Sequence, residues 1–145
     1  MSVKAICAKS VDTASPEESA QSAASRMHDR KVGTLVVVDE ANHPIGMLTD
    51  RDLTVRVVAA GRVPEATTVQ DVMSPSPVTV TEATSLENSL ATMRRAGVRR
   101  VPVVDSRDRL VGLLSIDDVL ILLHKEFSEI SRLLVESSPG SLALA

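Results

Sequence analysis

Laid over itself so that Gly46 falls on Gly112, the 145-residue chain matches itself at an offset of 66 residues without a gap. In that register Val3 meets Val69, Ser10 meets Ser76, Ser19 meets Ser85 and Met27 meets Met93. Val37-Val38-Asp39 meets Val103-Val104-Asp105, and Gly46, Leu48 and Asp52 meet Gly112, Leu114 and Asp118. Leu35/Val101 and Thr49/Ser115 are conservative pairs. Two long copies are too few for a solenoid, so the duplication predicts two similar halves about a pseudo-two-fold axis.

Each copy opens on a short amphipathic lead-in, Val3–Cys7 and Val69–Met73, with room for a brief strand at Val11–Thr13 and Val78–Val80. A helix follows, signalled by the capping patterns Ser15-Pro16-Glu17-Glu18 and Thr84-Ser85-Leu86-Glu87. Gly97 stops the second of these helices. The β-branched runs Val32–Asp39 and Val98–Asp105 read as strands covered on both faces. Polar turns join them to Ile45–Leu48 and Leu110–Leu114, and helices close the copies at Asp50–Ala60 and from Ile116 to about Leu134. The expected fold is therefore α/β (α+β), two β-α-β-β-α repeats of small sheets with helices. Repeat 1 spans 3–61, a connector 62–68, repeat 2 with a lengthened last helix 69–134, and a loose tail 135–145.

Composition narrows the function. A net charge of −3, one Phe and no Tyr or Trp give neither a basic face nor a stacking platform, which disfavours nucleic acid as a partner. Cys7 alone makes no internal disulfide, and no apolar run is long enough to span a bilayer, so a cytoplasmic chain is expected. His28, His43 and His124 share no ligand spacing with Cys7, so no metal is expected. No Ser-His-Asp, Cys-His or paired-carboxylate arrangement argues for catalysis, and the chain reads as a non-enzyme.

The chemistry lies in the doubled stretch Gly46-Met47-Leu48-Thr49-Asp50-Arg51-Asp52 and Gly112-Leu113-Leu114-Ser115-Ile116-Asp117-Asp118. Each looks like a strand running into the first turn of a helix, where backbone N–H groups stand ready for an anion or a hydroxyl. The plainer reading is a helix cap used twice. A hydroxyl can cap while the Asp points outward, so capping and binding are compatible.

These stretches, with Val101-Pro102-Val103-Val104-Asp105 and Asp71-Val72-Met73 followed by Pro75 and Pro77, resemble the cystathionine-β-synthase (CBS) domain in a tandem pair over roughly residues 3–126. The resemblance implies clefts between the two repeats that bind an adenosine-containing ligand: AMP, ADP, ATP, NAD or S-adenosylmethionine. No other cofactor is implied. It gives the ribose hydroxyls to Asp52 with Thr49 and to Asp118 with Ser115, and places Arg99 and Arg100 near phosphate. Lys9 and Ser10 would serve the Asp118 cleft, and Ser74 and Ser76 the Asp52 cleft. A carboxylate suits a vicinal diol, and arginine's fork suits phosphate. Without aromatic rings adenine needs aliphatic walls, for which Leu35 and Val101 are candidates.

The two clefts are not expected to be equal. Arg99 and Arg100 precede the second copy's strand, where the first copy has Gly33 and Thr34 and draws its charge from Arg51. A stronger phosphate site is therefore expected at Ser115/Asp118 and a weaker one at Thr49/Asp52. The last helix carries apolar residues at Val119, Leu120, Leu122, Leu123, Phe127, Ile130, Leu133 and Leu134, well past its counterpart's end. A second copy of the chain would cover that stripe, giving a homodimer. The reading is a regulatory sensor whose listening protein lies elsewhere; the rival is a ligand-free assembly module.

Overall fold

The computed structural model describes residues 1–137. It contains two small sheets, ordered β1-β2-β3-β4 and β5-β6-β7. In the first, β1 (Thr13–Ala14) runs parallel to β2 (Thr34–Val38), which is antiparallel to β3 (Pro44–Thr49), and β4 (Ser74–Pro75) closes the edge. In the second, β5 (Val80–Thr81) is parallel to β6 (Arg100–Val104), which is antiparallel to β7 (Leu110–Ser115). The helices are α1 (Ala20–Arg30), α2 (Asp50–Leu53), α3 (Val69–Val72), α4 (Leu86–Ala96) and α5 (Ile116–Ser137).

The duplication survives in detail. Register shifts fall at Val37/Val38 and at Val103/Val104, positions that match across the repeat. The turns that follow are built alike. Asp39 accepts from the backbone N–H groups of Ala41 and His43, and Asp105 from those of Arg107 and Arg109. These donors hold both carboxyls below the ordinary carboxylate value. Asn42 and Asp108 adopt the left-handed conformation at the same point of each turn.

The repeats of the sequence are not the units of packing. A 3-10 turn at Val3–Ala5 sends Val3 and Cys7 into the second core, among Val80, Met93, Val101, Val103, Leu114 and Val119. In return α3 sends Val69 and Val72 into the first, among Ala14, Ala20, Ala23, Met27, Leu35, Val37, Leu48 and Val57. The exchange is reciprocal down to single bonds: Val3 N donates to Thr84 O and Val69 N to Glu18 O, both at 2.9 Å. Leu86 N likewise donates to Met1 O, and Ala20 N to Thr67 O. Burying each exchanged valine contributes roughly 1.5–3 kcal/mol, and that energy ties the halves together.

Several expected boundaries move. Ser19, not Ser15, caps α1 by accepting from Ser22 N, while Ser15 and Glu18 close a turn ahead of it. Ser85, not Thr84, caps α4, because the Thr84 hydroxyl is already bonded to Thr81 N. The closing helix of the first copy is regular only to Leu53, and a π-helical turn over Thr54–Val58 carries it on. The last helix continues through Ser137, so 135–137 are helical; the rest of the expected loose tail lies outside the described residues.

The motif glycines face the exchanged segments. A Cβ on Gly112 would lie 2.9 Å from Cys7 Sγ and 3.0 Å from the Ala8 carbonyl, which accepts from Leu113 N. A Cβ on Gly46 would collide with the flexible Met73 side chain. Gly112→Ala is therefore expected to lower stability by about 1–3 kcal/mol, and more than Gly46→Ala, because a backbone carbonyl yields less than a methionine. Urea unfolding of the two variants checks the order.

Candidate functional site

The strand-to-helix junctions are capping boxes in both copies. Thr49 Oγ1 accepts from Asp52 N at 3.1 Å, and Asp52 Oδ2 accepts from Thr49 N at 2.9 Å. Ser115 Oγ accepts from Asp118 N at 3.1 Å, and Asp118 Oδ2 accepts from both Ser115 N and Ser115 Oγ, at 3.0 and 2.8 Å. Each carboxylate thus spends one oxygen on its own cap and keeps the other.

Most of the N–H groups expected to await an anion are occupied. Asp50 N donates to Gly33 O, Arg51 N to Asp50 Oδ1 and Asp52 N to Thr49 Oγ1. Ile116 N donates to Arg99 O. Negative charge brought to these junctions has to be met by side chains.

Side chains that could do so converge on one cleft of about 610 Å³, a size suited to a small ligand. Thr34, Met47, Thr49, Arg51 and Asp52 line it from the first repeat, opposite Ser74–Val78 and Ala96–Arg100 of the second. Thr34 lies across β2–β3 from Thr49. Of the residues singled out from the sequence, Thr34, Thr49, Arg51, Asp52, Ser74, Ser76, Arg99 and Arg100 meet here. Asp52 Oδ1 is 3.8 Å from Arg56 Nη2, and Arg56 is held by the Val72 carbonyl at 2.8 Å.

Two expectations change. Leu35 and Val101 wall no cleft, since both side chains are fully buried in the two cores; the apolar lining is Met47, Val78, Ala96 and Val98. Arg99 and Arg100 line the Asp52 cleft, because the start of β6 faces the first repeat's motif across it, although Arg100 also lies across β6–β7 from Ser115. Lys9 is bound to Glu82 at 3.0 Å, a contact that raises its pKa above the ordinary lysine value. Ser10 is exposed on the segment leading to β1. Arg56 escaped notice, although its spacing of four residues from Asp52 in a helical stretch was the available signal.

The counterpart positions around Asp118 differ in kind. Where the first cleft has Val78 and Ala96, the duplication places Asp12 and Arg30, joined as an ion pair at 2.8 Å. Where it has Arg99 and Arg100 stand Gly33 and Thr34, Arg51 is replaced by Asp117, and Arg100 itself takes the place of Thr34, across β6–β7 from Ser115. A larger groove of about 950 Å³ beside α1 and β1 lies apart from both motifs. Its arginines are committed, Arg26 to Glu18 and the Thr13 carbonyl and Arg30 to Asp12.

Comparison with known proteins agrees with this architecture. The family model for the CBS domain matches residues 3–59 and again 69–125. The chain is 38% identical over 120 residues to the CBS domain-containing protein YhcV of Bacillus subtilis, covering 83% of this chain and 84% of that protein. An uncharacterized protein of Methanopyrus kandleri is 35% identical over 120 residues, and the match spans 83% of this chain and 61% of that protein. Among solved structures, the CBS domain pair of protein MJ0100 in complex with 5′-methylthioadenosine and S-adenosyl-L-methionine superposes with a TM-score of 0.75. It is 26% identical, covering 85% of this chain and 99% of that one. The fold is that of a tandem module of two small α/β repeats. This chain belongs to the CBS domain family.

Because the Ser115 hydroxyl both accepts from Asp118 N and donates to Asp118 Oδ2, Ser115→Ala removes two bonds of the α5 cap. It is expected to cost about 1–2 kcal/mol in thermal or chemical unfolding, while Ser115→Thr, which keeps the hydroxyl, should cost much less.

Proposed function

We propose that this chain is a regulatory module that holds an adenosine-containing ligand in the cleft between Thr49/Asp52 and Arg99/Arg100. The observation that carries this reading is the convergence of a half-free carboxylate, three arginines and an aliphatic wall on one cleft between the repeats. Asp52 Oδ1 suits the ribose diol, Met47, Val78 and Val98 suit adenine, and the arginines suit phosphate. The ligands named for the MJ0100 pair support the adenosine class. The site is the Asp52 cleft, with AMP, ADP, ATP, NAD and S-adenosylmethionine as the compounds to compare. The Asp12–Arg30 ion pair, and Asp117 in the place of Arg51, make the Asp118 cleft the poorer host.

With no Trp or Tyr, the protein absorbs little at 280 nm, so a co-purified adenine compound shows plainly near 260 nm. At least one of the five compounds should raise the melting temperature of the wild type. Asp52→Ala should abolish the shift, with its own folded state verified by circular dichroism. No shift and no 260 nm excess would sink the reading; a shift that survives in Asp52→Ala and fails in Asp118→Ala would move the site.

The assembly reading is supported by α5. Leu120, Leu123, Phe127, Ile130 and Leu134 are each more than half exposed and recur at alternating intervals of three and four. That spacing matches the seam of a two-stranded coiled coil, and a second copy of this chain is the occupant that such a seam fits. Light scattering should give the mass of a dimer for the wild type and of a monomer for Leu123→Lys/Phe127→Lys. A monomeric wild type at micromolar concentration would overturn the dimer.

A further inference from the structure

Arg99 and Arg100 are not left without a counter-charge. Arg99 Nη2 lies 3.7 Å from Asp117 Oδ1, and Arg100 Nη2 lies 3.8 Å from Asp117 Oδ2. One carboxylate is shared between two guanidinium groups, beyond hydrogen-bond distance of either, and all three side chains are well exposed. Such contacts are weak and screened by salt, so they hold the arginines loosely. Asp117 occupies the place that Arg51 takes in the first motif, so one copy brings a cation to the cleft and the other an anion that touches its far arginines.

We propose that Asp117 is a built-in competitor for the ligand's phosphate. A phosphate entering the cleft brings oxygens that the two guanidinium forks can meet at hydrogen-bond distance, and it takes them from Asp117. The consequence is selection by charge: phosphorylated adenosines displace the carboxylate, and an uncharged adenosine has nothing with which to do so. Because Asp117 sits in the first turn of α5, the displacement also changes the charge balance at the start of the helix that carries the exposed seam. This inference rests on the reading of the Asp52 cleft as an adenosine site.

By linkage, whatever the ligand displaces weakens the ligand's own binding. Asp117→Asn should therefore tighten AMP and ATP by about two- to fivefold, the scale of a surface ion pair, with the gain shrinking as salt rises. It should leave the affinity for 5′-methylthioadenosine unchanged, and Asp117→Glu, which keeps the charge, should bind all three as the wild type does. Isothermal titration at two salt concentrations reads these effects on the full chain. Equal tightening of all three ligands, or unchanged AMP and ATP, would overturn the competitor while leaving the sensor reading in place. A wild type that binds none of the three overturns this inference, and the sensor reading falls with it if ADP, NAD and S-adenosylmethionine also fail to bind.

Discussion

Two apolar residues from each lead-in, Val3 with Cys7 and Val69 with Val72, lie in the core of the opposite repeat, and the rest of the molecule depends on that exchange. By trading segments, each sheet gains apolar cover, and a cleft forms where Ser74–Val78 passes the first motif. The close approach needs a residue without Cβ on the receiving strand, which is why the motif begins with Gly46 and Gly112. The glycine serves the crossing segment, not a bound group.

That geometry also decides how the site can meet charge. The cap of each motif consumes the junction's N–H groups, so the backbone has little left for an anion. A phosphate brought to the cleft would be met by guanidinium groups, which sequence change can add or remove without disturbing the fold. The two copies have diverged along that freedom: Arg51, Arg99 and Arg100 gather at one cleft, while Asp117 and the Asp12–Arg30 pair mark the other.

Much of this was legible in the chain. The offset of 66 residues carried the pairing of the strands and the doubled caps, because a duplicated pattern constrains both copies at once, while the family resemblance put Ser74 and Ser76 beside Asp52. Helix starts slipped by one to four residues at Ser15 and Thr84, where neighbouring hydroxyls compete for the same cap. Arg99 and Arg100 were matched to the motif nearest in sequence. The strand that carries them pairs with β7 through its backbone yet lines the cleft of the opposite motif, a relation no local pattern encodes. Leu35 and Val101 failed as cleft walls for a related reason: aliphatic character marks a core residue and a ligand wall alike, and full burial separates them.

The cleft and the long helix meet at Asp117, and that junction gives ligand and assembly a common element. α5 begins at a cap that Ser115 and Asp118 fix, while its second residue faces the arginines of the cleft. A change of partner at Asp117 leaves the cap bonds and the Ile116–Arg99 backbone bond in place, so the helix stays rooted on β6 and β7. What changes is the charge balance at its first turn, where an unpaired carboxylate favours the helix dipole. In a dimer joined through α5, two such turns would feel that change together. A weak ion pair suits this role better than a strong one, since a ligand can bias a state only by the difference in its affinity for the alternatives.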